Sequence, residues 1–524
     1  MSKEPYSLDV SFWQDYSVNE EDVEMITSMF LEEEKPKTLE EITVFLIERR
    51  IEKEVEKIKA RKYGNHTLYL PKEQYHENQS LVFPHLNWQV GKVIKVRDGY
   101  NPSLPPFKVI RVRFENGEEK EFVSGLDDHP LNTPPTLTID EYWLNVQNVF
   151  NKFGDLMKEK VKQALSSRGD FINIGEQWFP RTLLIDINEG QLNIAEATLD
   201  MANGEPLPTA TILQHLDIES DIHPALAEFS LNYALYQDPR FDEVGPSGEI
   251  LWFLHRLAPK GVQEKPIPLR YHPESYSREV LKKEVIALEQ SLDDEYIEYE
   301  KDPIKENKAV VKLIYPHWRS GTLPLTERVI NIFPTAYQAP RIRFWFVDAN
   351  SKEKFPAWVV RQEGYIYGLE EWYAANGLMP GSIVHLQKGK PGEVIIQTGS
   401  QRSSRDYIRT ILVGSDGGIV FAMLRQVIKA EYDERMAIFI PDQESLDQLW
   451  QKNQKEKLHL DTVVHNMVRN LAKLTPQGHV HAAEIYAAVN LIYRCPPGRI
   501  FAHLLTNPQY TYVGDLYFHL KETE

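Results

Sequence analysis

The chain has 524 residues, with 59 Lys and Arg against 77 Asp and Glu, a formal net charge of -18, and 42% hydrophobic residues. This composition excludes wholesale disorder, 33 Pro and 27 Gly without a period exclude a collagen-like chain, and the length predicts about three to five domains. The lone Cys495 excludes an intrachain disulfide or a cysteine-built zinc site, and no apolar run approaches the ~20 residues of a bilayer span.

The N-terminus lacks the basic-then-apolar order of a secretory signal, so a cytoplasmic chain without a membrane segment is expected. Residues 1–75 read as a helical unit compatible with a small winged helix. Asn19 fits an N-cap before Val23, Ile26, Met29 and Phe30, which recur at helical spacing. Lys35-Pro36-Lys37-Thr38 breaks the pattern, and Thr38 with Glu41 fits a capping box. The next helix carries Ile42, Phe45, Leu46 and Ile51, then turns basic at Lys57, Lys59, Arg61 and Lys62.

Residues 76–135 read as an SH3-like small β-barrel. A strand opens at Trp88. In Phe107–Phe114, Ile110, Val112 and Phe114 alternate with Arg111 and Arg113, and Asn116-Gly117 suits the positive φ of a tight hairpin turn. Lys92, Lys95, Arg97, Lys108, Arg111 and Arg113 make this the most basic stretch. It is either the solvated face of alternating strands or a patch that meets phosphate or an acidic partner.

Residues 136–262 read as a helical lead-in and a winged-helix domain. Leu192, Ile194, Ala195 and Leu199 recur at helical apolar spacing, Asn203-Gly204 ends that helix, and Pro208 and Pro224 start two more. A hairpin follows, with Asp238-Pro239-Arg240-Phe241-Asp242-Glu243-Val244-Gly245 before Trp252-Phe253. Residues 263–306 read as an acidic linker helix, with Asp293-Asp294-Glu295 and Glu298-Tyr299-Glu300 clustered. Residues 307–450 read as a β-rich, pseudobarrel-like domain, with Arg341, Arg343, Lys352 and Lys354 as candidate arm residues. Residues 451–524 read as a C-terminal winged helix, because Asn507-Pro508-Gln509-Tyr510-Thr511-Tyr512-Val513-Gly514 before Tyr517-Phe518 repeats the middle hairpin. The fold class expected is therefore multi-domain α+β, winged-helix units alternating with small β-barrels.

On the Gly204-Glu205-Pro206-Leu207 turn, the Asp238–Phe241 element and the aromatic second strand, residues 189–257 resemble the winged-helix domain shared by the delta subunit of bacterial RNA polymerase and restriction-associated proteins. Residues 462–520 resemble it more weakly. The resemblance implies a role around DNA or the transcription machinery and does not imply catalysis. The element order in 307–400 resembles the pseudobarrels of plant-type B3 DNA-binding domains.

No Gly-x-Ser-x-Gly elbow, Walker-type loop or Gly-x-Gly-x-x-Gly occurs, and Gly414-Ser415-Asp416-Gly417-Gly418 sits between two apolar strands as a hairpin turn. His459, His465, His479 and His481 enrich the tail without a metal-ligand pattern. No catalytic set, metal or cofactor is therefore expected. The third helix of the middle unit, Pro224–Gln237, has no Lys or Arg, so it suits a protein partner better than a groove. Duplex DNA contact is expected at Lys92, Lys95, Arg97, Arg111, Arg113, Arg341, Arg343, Arg469, Arg494 and Arg499. The alternative is a protein-interaction scaffold with winged helices and barrels as docking modules.

Overall fold

In the hairpin motif noted above, a buried aromatic residue is followed by two variable positions, Ile or Val and then Gly before the strand turns back, and a computed structural model of the chain holds it in three places. The structure describes residues 8–521 except 9, 64–65, 87–88, 103, 134–140, 220, 300–305, 415–416 and 457. Trp88, Glu300, Ser415, Asp416 and Lys457 thus lie outside the described residues, as do the side chains of Lys57, Lys59, Arg61 and Lys62. The chain is mixed α+β and divides by its contacts into two units, Met1–Leu184 and Ile185–Glu524.

In the first unit Asn19 accepts from the Asp22 N–H and Asp22 accepts from the Asn19 N–H, which opens the helix Glu20–Glu33. A short strand, Lys37–Thr38, leads into the helix Leu39–Tyr63, opened by the expected reciprocal bonds between Thr38 and Glu41. The helix Val146–Ser166, expected as a lead-in to the next domain, instead packs within this unit. Its stripe of Val149, Phe153 and Met157 meets Ile47 and Ile51 around Trp13 and Tyr16. The strands Phe171–Ile174 and Gln177–Pro180 follow, and Lys37–Thr38 pairs antiparallel with Gln177–Trp178.

Between the second and third helices of this set lies a sheet of five strands in chain order: Thr67–Leu68, Ser80–Phe83, Gln89–Asp98, Lys108–Phe114 and Glu119–Ser124. Ile110, Val112 and Phe114 point inward against Leu81, Phe83 and Val93, as the alternation requires.

The second unit uses the same order twice. Helices Glu189–Met201, Thr209–Leu213 and Pro224–Gln237 precede strands Phe241–Glu243 and Leu251–Leu254, and the strand Leu207–Pro208 pairs with the second of these. At the end of the chain, helices Leu460–Ala472, Ala482–Val489 and Pro497–Thr506 precede Tyr510–Gly514 and Tyr517–Leu520, with His479–His481 on the second strand. The motif residues correspond: Phe171, Ile174 and Gly175; Phe241, Val244 and Gly245; Tyr510, Val513 and Gly514. An aromatic pair follows in each case, Trp178-Phe179, Trp252-Phe253 and Tyr517-Phe518.

Seven strands between these two sets form a barrel-like sheet in the order Lys308–Lys312, Ile383–Lys388, Glu393–Thr398, Arg341–Asp348, Lys354–Val360, Tyr365–Tyr367, Thr322–Pro324. Only the pairing of Arg341–Asp348 with Glu393–Thr398 is parallel. The core holds Phe333, Phe344, Phe346 and Trp372, whose indole donates to Asp348 at 2.6 Å. The strands Ser400–Val413 and Ile419–Ala430 then form a separate two-stranded ribbon.

The expected acidic linker is corrected. Among the described residues past Gln263, the helix there is the ten-residue Lys283–Leu292, and Leu281, Val285 and Leu292 join the core of the C-terminal helices. Glu289, Asp293 and Asp294 are buried there, each with a partner that offsets the cost of burial: Arg278, Tyr299 and Arg494 respectively.

Candidate functional site

The outer face of the five-stranded sheet holds five of the expected cations. Arg113 lies between Lys92 and Glu119, and Arg111 between Lys95 and Glu121. Lys92 and Lys95 are three apart, a spacing that would put them on opposite faces. A register shift between Val93 and Lys95 restores both to the outer face. Arg97, two residues on, joins them. Arg97 and Arg111 bind Glu121 at 2.6 and 3.0 Å, and Arg113 binds Glu119 at 2.7 Å. Arg97 and then Arg111 hold the Glu121 carboxyl below its usual range. Lys92 and Lys95 are exposed and make no ion pair among the described residues. Five cations thus face two carboxylates here, a local excess of positive charge on an acidic chain.

The remaining expected cations do not converge with one another. Arg341 and Arg343 are no loop arms: they sit on a paired strand. Arg341 donates to the Val262 carbonyl at 2.9 Å and binds Asp242 at 3.1 Å. Arg343 lies over Trp358 and Trp345, with its guanidinium 5.2 and 5.9 Å from the ring centroids, and burial lowers its pKa. Lys354 pairs with Glu393, and Lys352 donates to the Ala349 carbonyl.

Arg494 is the clearest correction. Its side chain is 0% exposed and binds Asp294 and Glu295, each at 2.8 Å, with Asn490 at 3.1 Å. Glu295 also takes a hydrogen bond from His317 at 3.1 Å, and Asp294 accepts from the Tyr486 hydroxyl at 2.5 Å. A guanidinium so enclosed holds the fold together and reaches no ligand. Arg499 binds Glu274 at 3.0 Å. Arg469 is exposed, with no ion pair among the described residues. His481 caps the helix Ala482–Val489 by accepting from the Ala483 N–H, and His503 pairs with Asp461.

The third helix differs among the three sets. In Val146–Ser166 the buried residues form one stripe, which leaves the opposite side open. In Pro224–Gln237 the consecutive residues Phe229–Asn232 are all buried, and in Pro497–Thr506 so are Ile500–Leu504. Burial in these two helices is therefore not confined to one stripe: Glu228 and Tyr236 stay exposed on the middle helix, while none of residues 497–505 is exposed. The chain itself covers the last helix: a Cβ added at Gly498 would meet Glu289 and Tyr276 of the former linker.

The ribbon, whose two strands flank the expected turn at residues 414–418, is the opposite case. Its tip packs Ile411 and Phe421 into the C-terminal core, and Ile408 and Ile428 pack on Met379 and Ala437. Tyr407 is 68%, Met423 45% and Val427 51% exposed on one face, with Val420 51% exposed on the other. On that face the three apolar residues alternate with the exposed Arg405 and Arg425. No family model, curated protein or solved structure matches the chain.

Proposed function

We propose that this chain is a protein-docking scaffold. On this reading the three helix–strand–helix–helix–hairpin sets are winged-helix units, the five-stranded sheet is an SH3-like barrel and the seven-stranded sheet a pseudobarrel. Two of the winged helices serve as internal framework, and the ribbon takes the partner. The exposed apolar residues Tyr407, Met423 and Val427 carry this reading, and the covered third helix of the C-terminal set supports it. The test is co-purification from nuclease-treated lysate of the native source, with the parent chain beside a Tyr407→Ser, Met423→Ser, Val427→Ser variant of equal melting temperature. A protein retained through nuclease treatment and lost with the variant is expected. An identical set of retained proteins for parent and variant would overturn the scaffold reading.

A second reading, contact with duplex DNA, is favoured by one observation, the five cations over two carboxylates on the outer face of residues 89–124. Contact there would be made with phosphates and carry no base readout. A mobility shift that weakens from about 50 to about 200 mM salt is expected on this reading. It should vanish with Lys92→Glu and Lys95→Glu together. A shift indifferent to salt, or unchanged in that variant, would remove it.

A further inference from the structure

Two backbone hydrogen bonds fix which way the ribbon's peptide groups point. Ile411 donates its N–H to the Phe439 carbonyl at 3.1 Å, and the Phe439 N–H reaches the Arg409 carbonyl at 2.8 Å. Arg409 and Ile411 therefore turn their peptide groups away from the second strand. In an antiparallel pair the residues opposite them do the same on the other side. Met423 is opposite Arg409 and Phe421 opposite Ile411, so Phe421, Met423, Arg425 and Val427 aim N–H and C=O groups at the outer edge of Ile419–Ala430. Phe421 is buried, but Met423 and Val427 are about half exposed, Arg425 is exposed, and the outward groups of these three meet no backbone partner among the described residues. An unpaired strand edge of this kind is a template for another strand.

The side chains along that edge restrict what could pair with it. Strand Ile419–Ala430 contains no Asp or Glu. Arg405 and Arg425 flank Tyr407 and Met423 on one face, Lys429 stands two residues past Val427, and none of the three cations makes an ion pair among the described residues. A second copy of this strand would bring Arg425 and Lys429 near their own kind, which cross-strand pairing disfavours. A strand laid beside Met423–Val427 meets, on that face, an apolar residue, a cation and an apolar residue in turn.

We propose that the outer edge of Met423–Val427 binds an extended acidic peptide segment by β-strand addition, with the pattern apolar-x-acidic-x-apolar and the acidic residue beside Arg425. This rests on the scaffold reading and names the partner's chemistry. Main-chain bonds to the edge supply affinity, and the alternating side chains supply selection.

The experiment uses the full chain and synthetic ten-residue peptides of Val, Tyr and Glu in this alternation, read by fluorescence polarisation and by amide hydrogen exchange. The expected result is binding with slowed exchange at Met423, Arg425 and Val427. Placing Lys for Glu in the peptide should weaken binding by about tenfold or more, and Arg425→Glu in the chain should reverse that preference. N-methylation of the peptide on alternate residues should abolish binding in one phase and spare it in the other, as pairing through a single edge requires. Equal binding of acidic and basic peptides, or binding without exchange protection at those three amides, would overturn the proposal. So would protection of the same amides by self-association of the chain or by duplex DNA. If the acidic peptide fails while a nuclease-resistant partner is still lost with the ribbon variant, the peptide chemistry falls and the scaffold stands.

Discussion

Replacing Arg494 by Ala is expected to destabilise the Ile185–Glu524 unit by about 3–5 kcal/mol, the cost of stripping the partner from a buried charge. The guanidinium touches two carboxylates that are 200 and 199 positions away in sequence and, like it, out of contact with water. Without it, Asp294 keeps the Tyr486 hydroxyl and Glu295 keeps His317, but two anions then share one histidine. Burial by itself raises the Glu295 carboxyl; Arg494 and then His317 outweigh burial and hold it well below the usual carboxylate range. A folded-state pKa below the unfolded one contributes stability above the unfolded value, near 4.3, and loses it as pH falls toward the folded value. In Arg494→Ala the balance reverses, because burial goes largely unopposed. The deficit of the variant against the parent should therefore be large at neutral pH and shrink as pH falls below about 4. Urea titrations of both proteins at the two pH values measure this. A deficit under about 1 kcal/mol at neutral pH would mean that the cluster is wet and exposed.

Gly381→Ala is expected to cost about 3 kcal/mol for two reasons that add: a left-handed backbone in a residue with a side chain, and overpacking against main chain. Gly381 has φ +91°, and a Cβ there would lie 2.5 Å from both Cα and N of Ala437. Those atoms cannot swing aside as a side chain would. Gly381 donates to Leu313 at 2.7 Å and accepts from Asp433 at 2.9 Å, so the residue is pinned to both the sheet and the 432–438 segment that backs the ribbon. Gly392→Ala is the control. It also has positive φ, +74°, but nothing lies within 4 Å of the added Cβ, so only the conformational cost of about 1–2 kcal/mol applies. Equal urea midpoints for the two variants would show that the Ala437 contact is soft.

Local chemistry was readable in the sequence wherever both partners sit within a few residues. The Thr38–Glu41 capping box, the Asn19 cap and the inward alternation of Ile110, Val112 and Phe114 all form as their spacing requires. The duplicated hairpin motif was equally plain, since Phe241, Val244 and Gly245 recur as Tyr510, Val513 and Gly514. The copy at Phe171, Ile174 and Gly175 is masked in the sequence because residues 64–145 separate its second helix from its third. A reading of consecutive windows then assigns the helix Val146–Ser166 to whatever follows it. The buried cluster escaped for a different reason. Charged residues belong at the surface by default, and the exception at Arg494 depends on an acidic segment far upstream that no spacing rule connects to it. The ribbon's free edge was invisible too, because the absence of a neighbouring strand leaves no mark in the strand itself.

The sheet carried inside the first helical set imposes an order of events on a growing chain. Thr67 through Ser124 can close on itself through contacts between neighbours, while Lys37–Thr38 must wait for Gln177–Trp178, which the ribosome supplies only after the whole guest has emerged. The host is thus finished last, around an already folded passenger, and its first two helices spend that interval with the apolar surface meant for the third uncovered.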